Sequence, residues 1–185
     1  MRKYNFTGET ITLYGRIVLR RIRAVIPFQD GNGNVVEVGT LGGWIENDSN
    51  LDHSGNAWVG GNAFVYENAH VSGNAFVGGN ARVSGTACVC GDAKIYGNAL
   101  VYGNVFVGGN SKVYGNAWVF GNAHIYGNAC IYDEARIWGN AHVYGNAHVC
   151  DQVRVIESAQ IFGNSHVRGC TYIYGDNIIS GVIAG

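Results

Sequence analysis

From residue 55 to residue 180 the chain repeats one six-residue pattern, Gly-Asn-Ala-x-Val-x, in which two apolar residues stand two positions apart. This segment has 126 residues, so it contains 126/6 = 21 repeats, and no insertion interrupts them. The fifth position holds Val or Ile throughout, from Val59 through Val119 to Ile179. Residues two apart lie on the same face of a β-strand. Each repeat therefore predicts a short strand with one apolar face.

The other positions of the repeat predict corners between these strands. Gly at the first position supplies permissive backbone angles, and Asn at the second tolerates the left-handed region. The third position is Ala in most repeats, and among the exceptions are Val105, Ser111, Val153, Ser165 and Thr171. One such unit cannot bury its apolar face alone, so the repeats must stack. We therefore predict an all-β solenoid around a column of Val, Ile and Ala, rather than a disordered Gly-rich tract.

This six-residue periodicity resembles the hexapeptide-repeat superfamily of the trimeric UDP-N-acetylglucosamine acyltransferases (LpxA-like). The resemblance implies a single-stranded left-handed parallel β-helix in which three repeats form one triangular coil. The left-handed sense comes from the resemblance alone, because the general preference for right-handed crossovers favours the opposite hand. The 21 repeats then make seven coils, seven to eight with the junction before them, and seven strand spacings of roughly 4.8 Å give a height of about 34 Å.

The residues before the repeats predict β-strands of a different kind. Apolar and polar residues alternate through Ile11–Leu13 and Ile17–Ile26, Asp30–Gly33 is a turn signal, and Val35–Val38 is the expected return strand of a hairpin. A solenoid needs its terminal coil covered, because an open end exposes backbone groups and core side chains. We therefore predict three segments: an N-terminal β-strand cap at 1–42, the β-helix at 43–180 and a C-terminal tail at 181–185.

The junction Leu41–Leu51 carries a second, narrower resemblance. Basic strands, then Gly-x-Leu-Gly-Gly-Trp-Ile-Glu and Gly-Asn-Ala-x-Val repeats, are similar to the YdcK-like proteins of bacteria and their phages, which are described as transferases by analogy of fold. We expect Gly42 and Gly43 to allow a sharp bend into the first coil and Trp44 to plug its end. Continuing the repeat backwards places Leu51 at the Ala position and His53 at the Val position.

Composition and charge argue against several classes of partner. The chain has 12 Lys and Arg against 13 Asp and Glu, which gives no electrostatic reason to expect nucleic acid or an anionic membrane. No apolar run reaches the roughly 18 residues of a membrane span, and no signal-peptide core follows the start, so we expect a soluble, cytoplasmic protein. No two of the five cysteines are separated by one full coil, so disulfides are not expected. Cys88 and Cys90 form a poor chelate, and we predict no metal site.

Positions separated by one full coil should stack, so the outward positions can be assigned to three faces. Asn residues recur at this spacing and predict side-chain amide ladders at the corners. One face combines aromatic residues with Arg82, Arg136 and Arg154, and the next carries a Tyr column beside two histidines. The predicted binding residues on these two faces are Leu100, Tyr102, Trp118, Phe120, Trp138, Tyr126 and Tyr144.

Four histidines are the candidates for catalysis: His124, His142, His148 and His166. The acyltransferases that the chain resembles use a histidine as general base between neighbouring subunits, with acetyl-CoA or an acyl carrier as cofactor. Two features of this chain argue against that role. No loop interrupts the repeats to build a substrate pocket, and no Asp or Glu stands where it would orient a histidine.

The sequence therefore favours a non-catalytic β-helix scaffold or binding protein, related by resemblance to bacterial and phage proteins and requiring no cofactor. Contiguous apolar surface usually marks an interface, so the aromatic faces predict self-association and binding of a protein partner or a small ligand. The family resemblance implies a homotrimer. Acyl transfer by a histidine general base is the alternative.

Overall fold

The structure, a computed structural model, describes residues 2–185, and its regular secondary structure is almost entirely β-strand. Its one short helical segment is a single 3₁₀ turn at Asp48–Asn50. Within residues 2–185 there is no helix of the length and apolar character that crossing a membrane requires. The predicted all-β class is confirmed.

Five strands precede the repeats. They are β1 (Tyr4–Leu13), β2 (Ile17–Ala24), β3 (Phe28–Gln29), β4 (Val35–Val36) and β5 (Leu41–Ile45). The turn between β3 and β4 is tied together by Asp30, whose Oδ1 accepts the N–H groups of Asn32 at 2.9 Å and Asn34 at 2.8 Å. The predicted turn and return strand are present, and the return strand pairs with the short β3.

The strands of the repeats are short, mostly two residues long, and lie at the fourth and fifth positions. They are β6 (Trp58–Val59), β7 (Phe64–Val65), β8 (His70–Val71), β9 (Phe76–Val77), β10 (Arg82–Val83), β11 (Cys88–Val89), β12 (Lys94–Ile95), β13 (Leu100–Gly103), β14 (Phe106–Val107), β15 (Lys112–Val113), β16 (Trp118–Gly121), β17 (His124–Ile125), β18 (Cys130–Ile131), β19 (Arg136–Ile137), β20 (His142–Val143), β21 (His148–Val149), β22 (Arg154–Val155), β23 (Gln160–Ile161), β24 (His166–Arg168), β25 (Tyr172–Ile173), β26 (Ile178–Ile179) and β27 (Val182–Ala184).

These strands form three sheets that run the length of the solenoid. The first sheet has the order β1-β2-β5-β7-β10-β13-β16-β19-β22-β25, the second β26-β23-β20-β17-β14-β11-β8, and the third β27-β24-β21-β18-β15-β12-β9-β6. Pairing is antiparallel between β1 and β2 and between β2 and β5, and parallel from β5 onward. The eight parallel strands from β5 to β25 correspond to about eight turns of a β-solenoid; the left-handed sense stays a prediction.

The repeats keep the same register from coil to coil, as in the pairing of Val101 with Val119, which lie three repeats apart. Every fifth-position Val or Ile is buried except the last, Ile179, which is partly exposed. The predicted apolar column is therefore the core of the molecule, and full burial of each such side chain contributes on the order of 1.5–3 kcal/mol. At the corners, glycines such as Gly97 (φ 72°) adopt the left-handed region that the sharp turn requires.

Polar residues at the third position are accommodated by local hydrogen bonds. Ser111 is fully buried, and its hydroxyl donates to the carbonyl of Gly108, three residues earlier, at 2.8 Å. Thr171 repeats this contact with Arg168 at 3.0 Å. A small hydroxyl residue therefore replaces Ala without leaving an unpaired polar atom in the core.

Lys3 donates hydrogen bonds to backbone carbonyls at the N-terminal end of the third sheet, where no preceding coil can do so. In later coils the carbonyls at the first and third positions accept N–H groups from the coil before. Gly55 and Ala57 have no such coil beneath them, and the Nζ of Lys3 donates to their carbonyls at 3.3 and 2.7 Å. The Lys3 side chain is only 1% exposed, and burial lowers its pKa to about 8 against a weaker opposing effect of Asp52.

Asn50 does the same for the second sheet. Its Nδ2 donates to the carbonyls of Glu67 at 3.0 Å and Ala69 at 2.8 Å, which are again a first and a third position. Asn50 is fully buried. Two buried donors, Lys3 from the N-terminal segment and Asn50 from the junction, therefore satisfy carbonyls at the open end of the solenoid.

The junction differs from the sequence-based expectation in two placements. Trp44 does not plug the first coil: it pairs with Phe64 on the outer face, while the next residue, Ile45, points into the core. Leu51 lies opposite Val71, so it takes the Val position and the predicted placement of Leu51 and His53 is wrong. The Leu51 and His53 error arises because the segment between Leu51 and β6 is two residues longer than in a regular repeat, which displaces the frame before it by two. Trp44 fails for a different reason, because the alternation along β5 turns Trp44 outward and Ile45 inward.

Gly42 and Gly43 serve close approach rather than a bend. Both lie in β5, and neither has a positive φ. A Cβ on Gly42 would come within 2.7 Å of the Val59 carbonyl, and one on Gly43 within 2.6 Å of the Ala63 carbonyl. Only glycine lets β5 lie this close to the first coil.

Candidate functional site

Nothing in the solenoid core requires the outward side chains, so candidate functional residues are those that line its three outer faces. On each face the fourth-position residues form one column and the sixth-position residues form another at the adjacent corner. The structure places the predicted residues on the predicted faces: Leu100 pairs with Trp118 and Tyr102 with Phe120 on the first sheet, and His124 pairs with His142 on the second.

The first sheet carries an aromatic strip, which we define as Leu100, Tyr102, Trp118, Phe120 and Trp138. Tyr102 and Phe120 stack with ring centroids 5.0 Å apart, and Phe120 and Trp138 stack at 5.4 Å. The planes are within 5° of parallel in both pairs, because successive coils repeat the same backbone geometry. The strip is a continuous surface that crosses three coils.

This face is also the one that exposes large aromatic side chains to water. Tyr102 is 38% exposed and Trp118 36%, and further up the same sheet Tyr172 and Tyr174 are 55% and 59% exposed. Stacked tyrosines on the other faces, such as Tyr114 and Tyr126, are only partly exposed. A contiguous exposed apolar surface on a soluble protein usually marks an interaction site.

Arginines are interspersed with these rings, and each lies over an aromatic neighbour. The guanidinium carbon of Arg136 is 4.8 Å from the Trp118 ring centroid, and that of Arg154 is 5.0 Å from the Tyr172 ring. Within residues 2–185 neither arginine has a carboxylate within 4.0 Å. The face therefore combines apolar rings with cations that lack an acidic partner of their own.

The second sheet places Tyr126 and Tyr144 as predicted. Their rings stack at 4.9 Å, and Phe162 continues the column 5.3 Å beyond Tyr144. The Tyr144 hydroxyl lies 3.4 Å from the Oε1 of Gln160. Desolvation, reinforced by the neighbouring Tyr144, raises the pKa of Tyr126, so the Tyr126 hydroxyl is neutral at physiological pH.

Residues 93–109 span β12 to β14 and include Leu100 and Tyr102 of the aromatic strip. Over these residues the chain matches the model described as YdcK beta solenoid repeat. The stacked parallel strands make this chain a β-solenoid repeat protein. Its repeats are YdcK-like by their similarity to that model over residues 93–109. No curated protein matches the sequence.

The four candidate histidines of this YdcK-like solenoid form two stacked pairs on different sheets. His124 and His142 have ring centroids 4.9 Å apart on the second sheet, and His148 and His166 are 4.6 Å apart on the third. Burial and the adjacent histidine lower the pKa of both His142 and His148. Both are therefore predominantly neutral at pH 7, as a general base must be.

No described residue orients these histidines for catalysis. None of the four forms a hydrogen bond or an ion pair with a carboxylate anywhere in residues 2–185. The histidine that does contact one is His53 at the junction, whose Nε2 lies 3.3 Å from Asp48. It stacks on Tyr4 at 4.3 Å, and its Nδ1 accepts the Lys3 backbone N–H, which gives it a structural role. Acyl transfer by the four surface histidines stays a prediction.

The predicted Asn ladders of the YdcK-like solenoid are confirmed. Asn98 donates from Nδ2 to Oδ1 of Asn116 at 3.0 Å, and Asn128 donates to Asn146 at 2.8 Å. Equivalent bonds join Asn80 to Asn98, Asn104 to Asn122, Asn110 to Asn128, Asn122 to Asn140 and Asn146 to Asn164. These residues stabilise the corners.

Sequence reasoning missed a set of corner carboxylates. Where an acid replaces Gly at the first position, its carboxylate accepts the backbone N–H of the equivalent residue one coil later: Glu67 binds Gly85 at 2.7 Å and Glu157 binds Gly175 at 2.8 Å. These acids adopt positive φ, 57° at Glu67 and 60° at Glu157. The signal was present, because an acid at a position otherwise held by Gly needs a compensating contact.

One group of side chains brings three potential metal ligands together. Asp133, Cys150 and Asp151 have ligand atoms within 4.8 Å of one another. The two carboxylates already accept backbone N–H groups, Asp133 from Asp151 and Asp151 from Gly169. Burial, together with these carboxylates, raises the pKa of the Cys150 thiol, which disfavours the thiolate that a metal needs. All five cysteines are free thiols.

Proposed function

We propose that this YdcK-like solenoid is a non-catalytic scaffold that self-associates through the aromatic strip of its first sheet. The observation that carries the proposal is the exposure of that strip: Tyr102 and Trp118 are 38% and 36% exposed, whereas the stacked aromatic columns of the other two sheets are only partly exposed. Covering aromatic surface contributes about 25 cal/mol per Å². The rigid parallel stacking also holds the side chains in place before association, which lowers its entropic cost.

Symmetry favours a closed assembly of identical chains. The strip lies along the solenoid axis, so copies that stand side by side can bring equivalent coils together. Arg136 and Arg154, which have no acidic partner within residues 2–185, can then lie over rings of a neighbouring copy. We propose a homotrimer, the number that the hexapeptide-repeat resemblance implies. The strip is also the surface on which we expect a protein partner to compete with self-association.

The assembly is tested by multi-angle light scattering on wild type and a Trp118→Glu, Phe120→Glu variant. Wild type should have a mass of three times 19.8 kDa, about 59 kDa. The variant should run as a monomer, because two carboxylates per chain would be buried without partners in the interface.

A matched control places the same charges elsewhere. Tyr114 and Tyr132 stack at 5.0 Å in the sixth-position column of the third sheet, so Tyr114→Glu, Tyr132→Glu is chemically similar but lies on another face. This control should remain trimeric. A monomeric wild type would refute self-association, and dissociation of the control alone would place the interface on the third sheet.

Calorimetry with acetyl-CoA tests the non-catalytic part of the proposal. We expect no saturable heat, since the four candidate histidines lack an orienting carboxylate within residues 2–185 and no loop interrupts the repeats to form a cofactor cleft. A micromolar affinity that is lost in His142→Ala but kept in His70→Ala would instead favour acyl transfer. His70 is a suitable control because it is an exposed outward histidine on the same second sheet.

A further inference from the structure

A cavity of about 350 Å³ opens on the outer face of the first sheet, between the β1–β2 turn and the solenoid. The residues around it that bear on ligand chemistry are Tyr14, Tyr66, Glu67, Arg82, Ser84 and Tyr102. Its volume is near the lower end of the roughly 300–1,000 Å³ that is usual for small-molecule sites. It therefore suits a ligand built on a single ring.

The β1–β2 hairpin creates this cavity by packing on the outside of the solenoid. Ile17 and Leu19 form a small apolar cluster with Tyr66, separate from the main core. This cluster fixes the hairpin, and its turn projects Tyr14 above the sheet with the side chain 71% exposed. The ring of Tyr14 is one wall of the cavity, and Leu100 and Tyr102 belong to the opposite side, on β13.

Arg82 brings to this cavity a cation that forms no ion pair within residues 2–185. No carboxylate in residues 2–185 lies within 4.0 Å of its guanidinium, which instead lies over the Phe64 ring at 5.3 Å. The side chain of Arg82 donates no hydrogen bond to another described residue, so its N–H edge is free to bind a ligand. That edge matches the two oxygens of a carboxylate.

The remaining polar groups select against a highly charged ligand. Glu67 uses one carboxylate oxygen to accept the Gly85 N–H at 2.7 Å, which leaves the other oxygen to accept from a ligand donor. Tyr66 and Ser84 are each 8% exposed, and desolvation raises the Tyr66 pKa, so its hydroxyl stays protonated. Because Glu67 repels a dianion such as phosphate, a monocarboxylate with a hydroxyl group fits the set better.

We infer that this cavity binds a small aromatic monocarboxylate that carries a ring hydroxyl, with its carboxylate on Arg82 and its ring between Tyr14 and Tyr102. The ligand hydroxyl donates to Glu67. The inference goes beyond the proposed self-association, with which it shares only Leu100 and Tyr102. The other residues that line the cavity lie outside the aromatic strip; they are Tyr14, Tyr66, Glu67, Arg82 and Ser84.

The experiment uses 4-hydroxybenzoate as ligand and follows binding by saturation-transfer NMR and calorimetry on the full chain. Wild type should show saturable binding, weaker in Arg82→Gln by about tenfold or more, because a charge-assisted bidentate contact is lost. The matched control is Arg154→Gln. Arg154 occupies the same outward position of the first sheet, lies over an aromatic ring and lacks an acidic partner within residues 2–185. Its affinity should stay within about twofold of wild type.

Two further measurements distinguish binding in the cavity from non-specific binding and from a loss of stability. The methyl ester of 4-hydroxybenzoate lacks the negative charge and should bind about tenfold more weakly than the acid. Tyr14→Asn removes one ring wall at a turn position whose positive φ, 51°, Asn tolerates, and it should weaken binding several-fold without a change in the thermal melt.

The inference is overturned if wild type shows no saturable binding up to about 5 mM acid, a weak-affinity limit. Equal weakening in Arg82→Gln and Arg154→Gln, or equal affinity for acid and ester, would overturn it as well. Light scattering on the same samples keeps the two proposals distinct. A monomer that binds the acid with the expected Arg82 dependence refutes self-association alone, and a trimer that does not bind it refutes the cavity assignment alone.

Discussion

Val119→Asp should destabilise the protein by more than about 4 kcal/mol, the range reserved for buried unpaired charges. Val119 is fully buried in the core column, between Val101 and Ile137 of the adjacent coils. No polar group faces that column from either neighbour, so a carboxylate there must either remain charged without a partner or take up a proton. For a chain of this size, a loss of this magnitude lowers the melting temperature by roughly 10 °C or more.

The control for this experiment is Lys112→Asp, which introduces the same side chain at an exposed outward position. Its melting temperature should change by no more than about 2 °C, since surface substitutions are usually within about 0.5 kcal/mol. Thermal unfolding followed by circular dichroism measures both variants. Equal shifts for the two would contradict the assignment of Val119 to the interior.

The second large effect concerns Lys3, whose contribution to stability should depend on pH. Its pKa is about 8 in the folded protein and about 10.5 in the unfolded chain. Between these values the unfolded state binds more protons, so this group makes the folded state more stable as the pH rises. Relative to Lys3→Met, wild type should gain on the order of 3 kcal/mol between pH 8 and pH 10.5, and the difference should be constant below pH 8.

Chemical denaturation of wild type and Lys3→Met at a series of pH values measures this difference. The tyrosines and cysteines that also titrate in this range are common to both proteins, so their effects cancel when the free energies are subtracted. A difference that does not change between pH 7 and pH 10 would mean that the Lys3 ammonium is not desolvated at the end of the solenoid.

The regular part of this fold was predictable because its rules are local and repeated. An apolar pair two residues apart sets the inward face, and a strict spacing of three repeats then sets every neighbour, as the stacking of Tyr102 on Phe120 shows. The aromatic strip and the histidine pairs follow from the same counting. The repeat spacing does not predict which residues outside the repeats contact the aromatic strip.

The irregular part was not predictable for the opposite reason. Lys3 contacts Ala57 across 54 residues of sequence, and no periodic signal links them. The placement of Leu51 failed because the longer segment between Leu51 and β6 displaces the frame by two, and that of Trp44 failed because β5 pairs Ile45, not Trp44, with the core residue Val65. The cavity at Arg82 likewise depends on where the β1–β2 hairpin folds back, and only the structure fixes the position of Tyr14.

Because the repeats are uninterrupted, the number of repeats between two residues decides whether they lie on the same face of the solenoid. Removal of one six-residue repeat between Tyr102 and Phe120 would rotate everything above it by one face and bring Tyr126 over Tyr102. Removal of three repeats would keep every face in phase and shorten the solenoid by one strand spacing, about 4.8 Å. Such a chain can gain or lose whole coils while its outward residues stay on the same faces. The length of the solenoid can therefore change without a change in which residues line each face.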